Sequence, residues 1–196
     1  MRRLVFATNN AHKLGEVRSI LEGSAEVLGL RDIGCTEDIP ENGETLEDNA
    51  WIKARYVHCK YGIDCFADDT GLEIEALGGK PGVRSARYAG EDCNADNNII
   101  KVLDELKGEN NRKARFRTVI CLIEDGRDNY FEGIVEGRII DEKRGKEGFG
   151  YDPVFIPDGF TETFAEMSFD AKNNISHRGR AIASLMAWLT RQGSPR

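Results

Sequence analysis

The apolar run Arg3-Leu4-Val5-Phe6-Ala7 stops at Thr8-Asn9-Asn10, and Leu14, Val17 and Leu21 then follow at helical spacing. This opening constrains the fold most. The run reads as a short buried strand, the polar cluster as a turn, and the spaced apolar residues as one face of a helix closed by Gly23. Strand, turn and helix in that order are the opening of an α/β fold.

A second strand fits Glu26 to Leu30. Thr45–Tyr61 reads as a helix, with Thr45 as N-cap, Asp48 completing a variant capping box, and Leu46, Ala50, Ala54 and Val57 as its buried stripe. Ile63–Ala67 is the next strand and is expected to end at Asp68-Asp69-Thr70-Gly71. Leu72–Leu77 resumes extended structure before a loop from Gly78 to Gly90. Ala95–Leu106 reads as a third helix. Ala114–Glu124 and Asn129–Ile140 read as a hairpin turned by Asp125-Gly126, and a last helix starts near Ser176. Early alternation of strands and helices followed by a long hairpin favours a mixed sheet. The 196 residues fit a single domain (1–196) of two lobes.

The formal net charge of −7 argues against a protein that coats nucleic acid, which would need a basic face. The five cysteines are odd in number and never spaced as CxxC, so reduced thiols in the cytoplasm are expected, with no zinc site. No apolar run approaches the ~20 residues of a membrane span, so no membrane role is expected.

Several clusters could carry chemistry, and each also has a plainer reading. Thr8 to Lys13 sits where a helix N-terminus would attract anions, although ordinary capping needs the same residues. It matches neither the P-loop nor the dinucleotide fingerprint. Asp68-Asp69 at a strand end suits magnesium, which takes one or two carboxylates plus substrate phosphates; it also suits a solvated turn. Glu41 precedes the helix that bears Lys53, about two turns past Thr45. In Gly148-Phe149-Gly150-Tyr151-Asp152-Pro153 the glycines allow close backbone approach, Phe149 offers a flat face to a base, and Asp152 an acceptor. Lys172 and Ser176-His177-Arg178 bring cations to the start of the last helix, where the helix dipole disfavours them unless something compensates.

Read in order, T-N-N-A-H-K from Thr8, E-N-G-E-T from Glu41, N-A-W-I-K-A from Asn49, A-D-D-T-G-L from Ala67, P-G-V-R-S-A-R-Y from Pro81, G-F-G-Y-D-P from Gly148 and K-N-N-I-S-H-R-G from Lys172 resemble one family. It is the inosine triphosphate pyrophosphatase family, also called the dITP/XTP diphosphatases, and the likeness runs from Thr8 to Gly179. The resemblance implies an α/β protein with a long mixed sheet and flanking helices, two lobes around a nucleotide-binding cleft, and a homodimer. It implies Mg2+ and cleavage of deaminated purine nucleoside triphosphates (ITP, dITP, XTP) to a monophosphate and pyrophosphate. By matching position, Thr8, Asn9, Asn10, Ala11, His12, Lys13 and Lys53 would contact the phosphates. Glu41 and Asp69 would hold the metal with Asp68 close by, and Asp69 would accept the proton of the attacking water. Thr70 would touch the substrate; Phe149, Gly150, Tyr151, Asp152, Lys172, His177 and Arg178 would contact the base or its neighbouring phosphate. Thr70 stands where the family usually has Ser, a change that keeps the hydroxyl. Arg84 and Arg87 receive no chemical role.

An aspartate near the reference pKa of ~3.9 is a weak base, so the metal is expected to do much of the water activation. Selection of a 6-keto purine over adenine needs donors, which Arg178, His177 or backbone N–H groups near Phe149 could supply. Two other readings stay open: a non-catalytic nucleotide sensor, and a related pyrophosphatase for ordinary or pyrimidine triphosphates.

Overall fold

A computed structural model describes residues 2–192. Twelve strands and helices occur among them: β1 (Arg2–Phe6), α1 (Ala11–Ile20), β2 (Ala25–Leu28), α2 (Leu46–Tyr61), β3 (Cys65–Ile74), β4 (Pro81–Gly82), α3 (Ala95–Glu105), β5 (Lys113–Glu124), β6 (Arg127–Ile139), β7 (Phe155–Pro157), α4 (Phe169–Ile175) and α5 (His177–Gln192). The strands pair in the order β2-β1-β3-β5-β6-β7, with β4 also on β3. β1 runs parallel to β2 and β3, with Val5 opposite Cys65, whereas β4 and β7 pair antiparallel with β3 and β6. The fold is the mixed α/β class expected.

Two compact units divide the chain. The first takes residues up to Asp69, Thr118–Gly133 and the chain from Arg178; the second takes Thr70–Arg117 and Ile134–His177.

In the first unit the described stretches of β1, β3 and β5 from Leu4, Cys65 and Thr118 on are buried on both faces, and side chains alternate between two apolar clusters. Leu4, Phe6, Phe66, Ile120 and Leu122 pack with Val17 and Leu21 and with Ala181, Ile182, Leu185 and Leu189 of α5. Val5, Ala7, Cys65, Ala67, Cys121 and Ile123 pack with Ala50, Ala54 and Val57 of α2. This is the period of two of a pleated strand, and it fixes which helix each strand residue meets. Phe6 and Phe66 stack with centroids 4.7 Å apart. In the second unit Leu72, Ile74, Ile99, Val102, Phe116, Val135, Ile139, Phe155 and Phe164 form the core.

α2 begins as its sequence predicts. The Asp48 N–H donates to Thr45 Oγ1 and the Thr45 N–H to Asp48 Oδ2, each at 3.1 Å, and Gly62 ends the helix at φ +64. Asp125 (φ +51) and Gly126 (φ +74) make the β5–β6 turn.

Two elements differ from the sequence expectation. β3 does not stop at Asp68-Asp69-Thr70-Gly71 but continues to Ile74. Both aspartates meet cations there, and Gly71 lets backbone come close: a Cβ on it would lie 2.6 Å from the Gly82 carbonyl oxygen. α4 has no counterpart in the sequence reading; Ser168 caps it by accepting from the Ala171 N–H. Ser176 stands directly before α5, where the sequence placed the start of the last helix, and it also closes α4: its N–H donates to the Lys172 carbonyl at 2.8 Å.

Candidate active site

Asp68 and Asp69 continue the alternation of β3. Asp68 has the parity of Phe66 and meets α1 and α5; Asp69 has the parity of Ala67 and meets α2. Asp68 Oδ1 accepts from Lys13 Nζ at 2.9 Å, and Asp68 Oδ2 from Arg178 Nε at 3.0 Å. Arg178, 1% exposed, also bonds through Nη1 to the buried Glu16 of α1. Burial pushes the Asp68 carboxyl up, but the Lys13 and Arg178 charges outweigh it and hold the group well below the usual carboxylate range. Burial works against the Arg178 charge too, and Asp68 and Glu16 overcome it.

Asp69 Oδ2 accepts from Asn49 Nδ2 at 3.0 Å, while Oδ1 lies 4.0 Å from Lys53 Nζ. Lys53 reaches Glu41 Oε1 at 2.5 Å. Burial raises the Asp69 pKa, helped by the nearby Glu41 charge, and Lys53 and Lys13 only partly offset this. Burial opposes the Lys53 charge, yet Asp69, Glu41 and Asp68 together keep the ammonium ionised. Asn49 and Lys53 are the polar members of the buried stripe Leu46, Asn49, Ala50, Lys53, Ala54, Val57. Their spacing aims them at the strand with the alanines.

Thr8 to Lys13 forms a capped turn. Asn10 Oδ1 accepts from the His12 and Lys13 N–H groups at 3.0 and 3.1 Å, and the Asn10 N–H donates to Thr8 Oγ1. The side chain of Asn10 thus serves as an acceptor here. Asn9, Asn10, Ala11 and His12 are exposed, whereas Thr8 and Lys13 are half-buried. Asn9 Nδ2 makes long contacts of 3.4 Å to the Glu37 carbonyl and Asp38 Oδ1, in the loop that leads to Glu41.

The second unit holds the remaining expected residues. Lys172 Nζ donates to Asp152 Oδ2 at 2.6 Å, and both side chains are 4% exposed. The same oxygen accepts from the Phe149 N–H at 2.8 Å, and Lys172 Nζ lies 4.9 Å from the centre of the Phe149 ring. Gly148 (φ +75) makes room for this, because a Cβ there would run into Asp152 Oδ2. Tyr151 Oη donates to the Ser85 carbonyl at 2.8 Å, and His177 stacks on Phe116 at 4.7 Å. Thr70 is half-buried in β3, and Gly150 has φ +62.

The three acidic residues expected near a metal do not gather as one cage. Among the described residues no three His, Cys, Asp or Glu side chains do so. Both oxygens of Asp68 are engaged by cations, whereas Glu41 and Asp69 both approach Lys53. Two carboxylates at one cationic position fit magnesium, which prefers hard oxygen ligands and keeps several waters. Sequence reasoning missed Glu16 and Asn49 as partners. Asn49 carried a signal, a polar residue in register with an apolar stripe; Glu16 carried none short of the tertiary fold.

A mixed sheet whose inner strand β3 carries two buried carboxylates, met by cations from the helices, makes this an α/β protein with a buried charged site. The chain belongs to the Ham1 family, whose pattern matches residues 4–188. It is 59% identical to the dITP/XTP pyrophosphatase of Porphyromonas gingivalis, over 96% of this chain and 98% of that one. It is 53% identical to the dITP/XTP pyrophosphatase of Christiangramia forsetii, over 96% of this chain and all of that one. The solved structure of the Staphylococcus aureus Ham1 protein matches with a TM-score of 0.88 at 38% identity, covering 97% of this chain and 100% of that one.

Proposed function

We propose that this protein hydrolyses deaminated purine nucleoside triphosphates (ITP, dITP and XTP) to the monophosphate and pyrophosphate. The relatives that are 53–59% identical over nearly the whole chain carry the name dITP/XTP pyrophosphatase. The observation that carries the chemical reading is the approach of Glu41 and Asp69 to one ammonium, that of Lys53, at 2.5 and 4.0 Å. Carboxylates held by a cation beside a second lysine suit a site that exchanges charge with a polyphosphate.

Magnesium held by Glu41 and Asp69 would neutralise phosphate oxygens and lower the pKa of a bound water. Lys13 and Lys53 grip the polyphosphate, and the Thr8–Lys13 turn lies against it. Arg178, paired with Asp68 and Glu16, holds Lys13's carboxylate partner in place. Asp69 takes the proton of the attacking water. In the metal-free protein burial makes this carboxylate harder to ionise, and a bound magnesium would offset that and supply much of the water activation.

Recognition of the base falls to Phe149, Asp152, Lys172 and His177. Lys172, His177 or backbone N–H groups near Phe149 would donate to a 6-keto oxygen, with Lys172 and the Phe149 N–H sharing themselves between it and Asp152. Donors left unpaired against adenine can cost roughly 10⁴-fold in kcat/KM. The five free thiols suit the cytoplasm, and the active form is a homodimer, which sedimentation would check.

The test is pyrophosphate release from ITP, dITP, XTP, ATP, GTP, CTP and UTP, with and without magnesium. Release from the first three alone, dependent on the metal, is expected. Equal cleavage of ATP and ITP removes the base-recognition claim. Binding without pyrophosphate points to a sensor, and a pyrimidine preference to a different pyrophosphatase.

A further inference from the structure

Asn49 uses both ends of its amide. Its Oδ1 accepts from the Gly43 N–H at 2.8 Å and its Nδ2 donates to Asp69 Oδ2 at 3.0 Å. Gly43 lies just beyond Glu41 in the loop before α2, and Asp69 lies on β3. One side chain, 3% exposed on a helix with a closed capping box, therefore fastens both segments that supply the carboxylates. Gly43 shows how closely the loop is drawn in: a Cβ on it would lie 2.5 Å from Asp48 Cβ and 2.8 Å from Asn49 Oδ1. The other residues of the stripe are apolar apart from Lys53, so packing alone does not call for an amide.

We propose that Asn49 is a positioning residue that sets Glu41 and Asp69 against each other and so tunes how tightly a divalent cation is held. The part concerning the cation rests on the functional reading above; the tether does not. Lys53 also bridges the two carboxylates, but an ammonium competes with a cation for them and must yield when one binds. A neutral amide does not compete. It keeps the loop and strand in register when Lys53 lets go.

The test uses Asn49→Leu, which removes both bonds, and Gly43→Ala, whose Cβ would crowd Asp48 and Asn49 Oδ1 and push the loop away. Partners that orient metal ligands typically account for 10–100-fold in metal affinity. Each variant is expected to need about 10–100-fold more magnesium for half-maximal pyrophosphate release. Mn2+ binding followed by electron paramagnetic resonance should weaken by the same factor. In metal-free protein, hydrogen exchange at the Gly43 amide should speed up in Asn49→Leu. If Asn49→Leu fails to fold, Gly43→Ala carries the measurement. A folded variant that binds Mn2+ as tightly as the parent overturns the proposal. A parent that releases no pyrophosphate from any triphosphate overturns the functional reading instead, leaving the tether to be judged by amide exchange and Mn2+ binding.

Discussion

Asp68 accepts from Lys13 on one carboxylate oxygen and from Arg178 on the other, whereas Asp69, the next residue of β3, accepts from the neutral amide of Asn49 and has Lys53 only at 4.0 Å. The pleat sends the two side chains to opposite faces of the strand, and the helices covering those faces differ in charge. One carboxylate is thereby locked in its ionised form, and the other takes up protons more readily than a free aspartate. Divergent environments for paired acids are how proteins separate a structural charge from a working base.

Asp69→Asn removes the proton acceptor while keeping the size of the side chain. Turnover should fall by about 10²–10⁴-fold with the fold intact. Pyrophosphate release measured against a circular-dichroism control checks this, and activity retained within tenfold would sink the role given to Asp69.

The two aspartates should also respond oppositely to pH in metal-free protein. Asp68 has a folded-state pKa below its unfolded value, near ~3.9, so its contribution to stability is complete above that value and fades as pH falls through it toward the folded pKa. Asp69 has a raised folded-state pKa, so its contribution is complete below ~3.9 and is lost as pH rises through the folded value. Thermal melts at neutral pH should show Asp68→Asn less stable and Asp69→Asn more stable than the parent. The deficit of Asp68→Asn should shrink on acidification. A constant deficit down to strongly acidic pH would contradict the assignment.

Arg178 lies between two buried carboxylates. Replacing it with Met takes the guanidinium from both Glu16 and Asp68, which keeps Lys13, and breaking a buried pair from one side typically costs about 3–5 kcal/mol. Urea denaturation of Arg178→Met should show a loss of that order, and Glu16→Gln added to it should restore part. A loss below about 1 kcal/mol would mean that the pairs are strained or wet.

The Lys172–Asp152 pair gives a similar cycle in the second unit. Lys172→Met alone should destabilise by about 3–5 kcal/mol, because Asp152 stays buried and charged. The double variant Lys172→Met/Asp152→Asn should recover most of that, since Asn can still accept from the Phe149 N–H. If recovery of stability came with recovery of discrimination between ITP and ATP, Lys172 would have no part in reading the base.

Much of this was legible in the chain. The capping box at Thr45 and Asp48, the Asp125-Gly126 hairpin and the stripe of α2 are local signals, and local bonds decide them. The site residues were named by motif resemblance, whose spacing survives without knowledge of packing. The continuation of β3 through Asp68 and Asp69 was not legible. Two acids, a threonine and a glycine in a row read as a turn unless Lys13, Arg178 and Asn49 are known to meet them, and those partners come from three separate helices. α4 was missed because its seven residues span too few turns to show a period. The opposite fates of Asp68 and Asp69 needed the parity of the strand and the identity of both covering helices.

The unbroken run of β3 bears on how the protein fails under heat. Asp69 rides on a ten-residue strand that pairs with β5 and, at Cys65 and Phe66, with β1, not on a surface loop that can melt by itself. Shaking that carboxylate loose means pulling β3 out of its ladder, so warming should silence turnover only as this strand leaves the sheet.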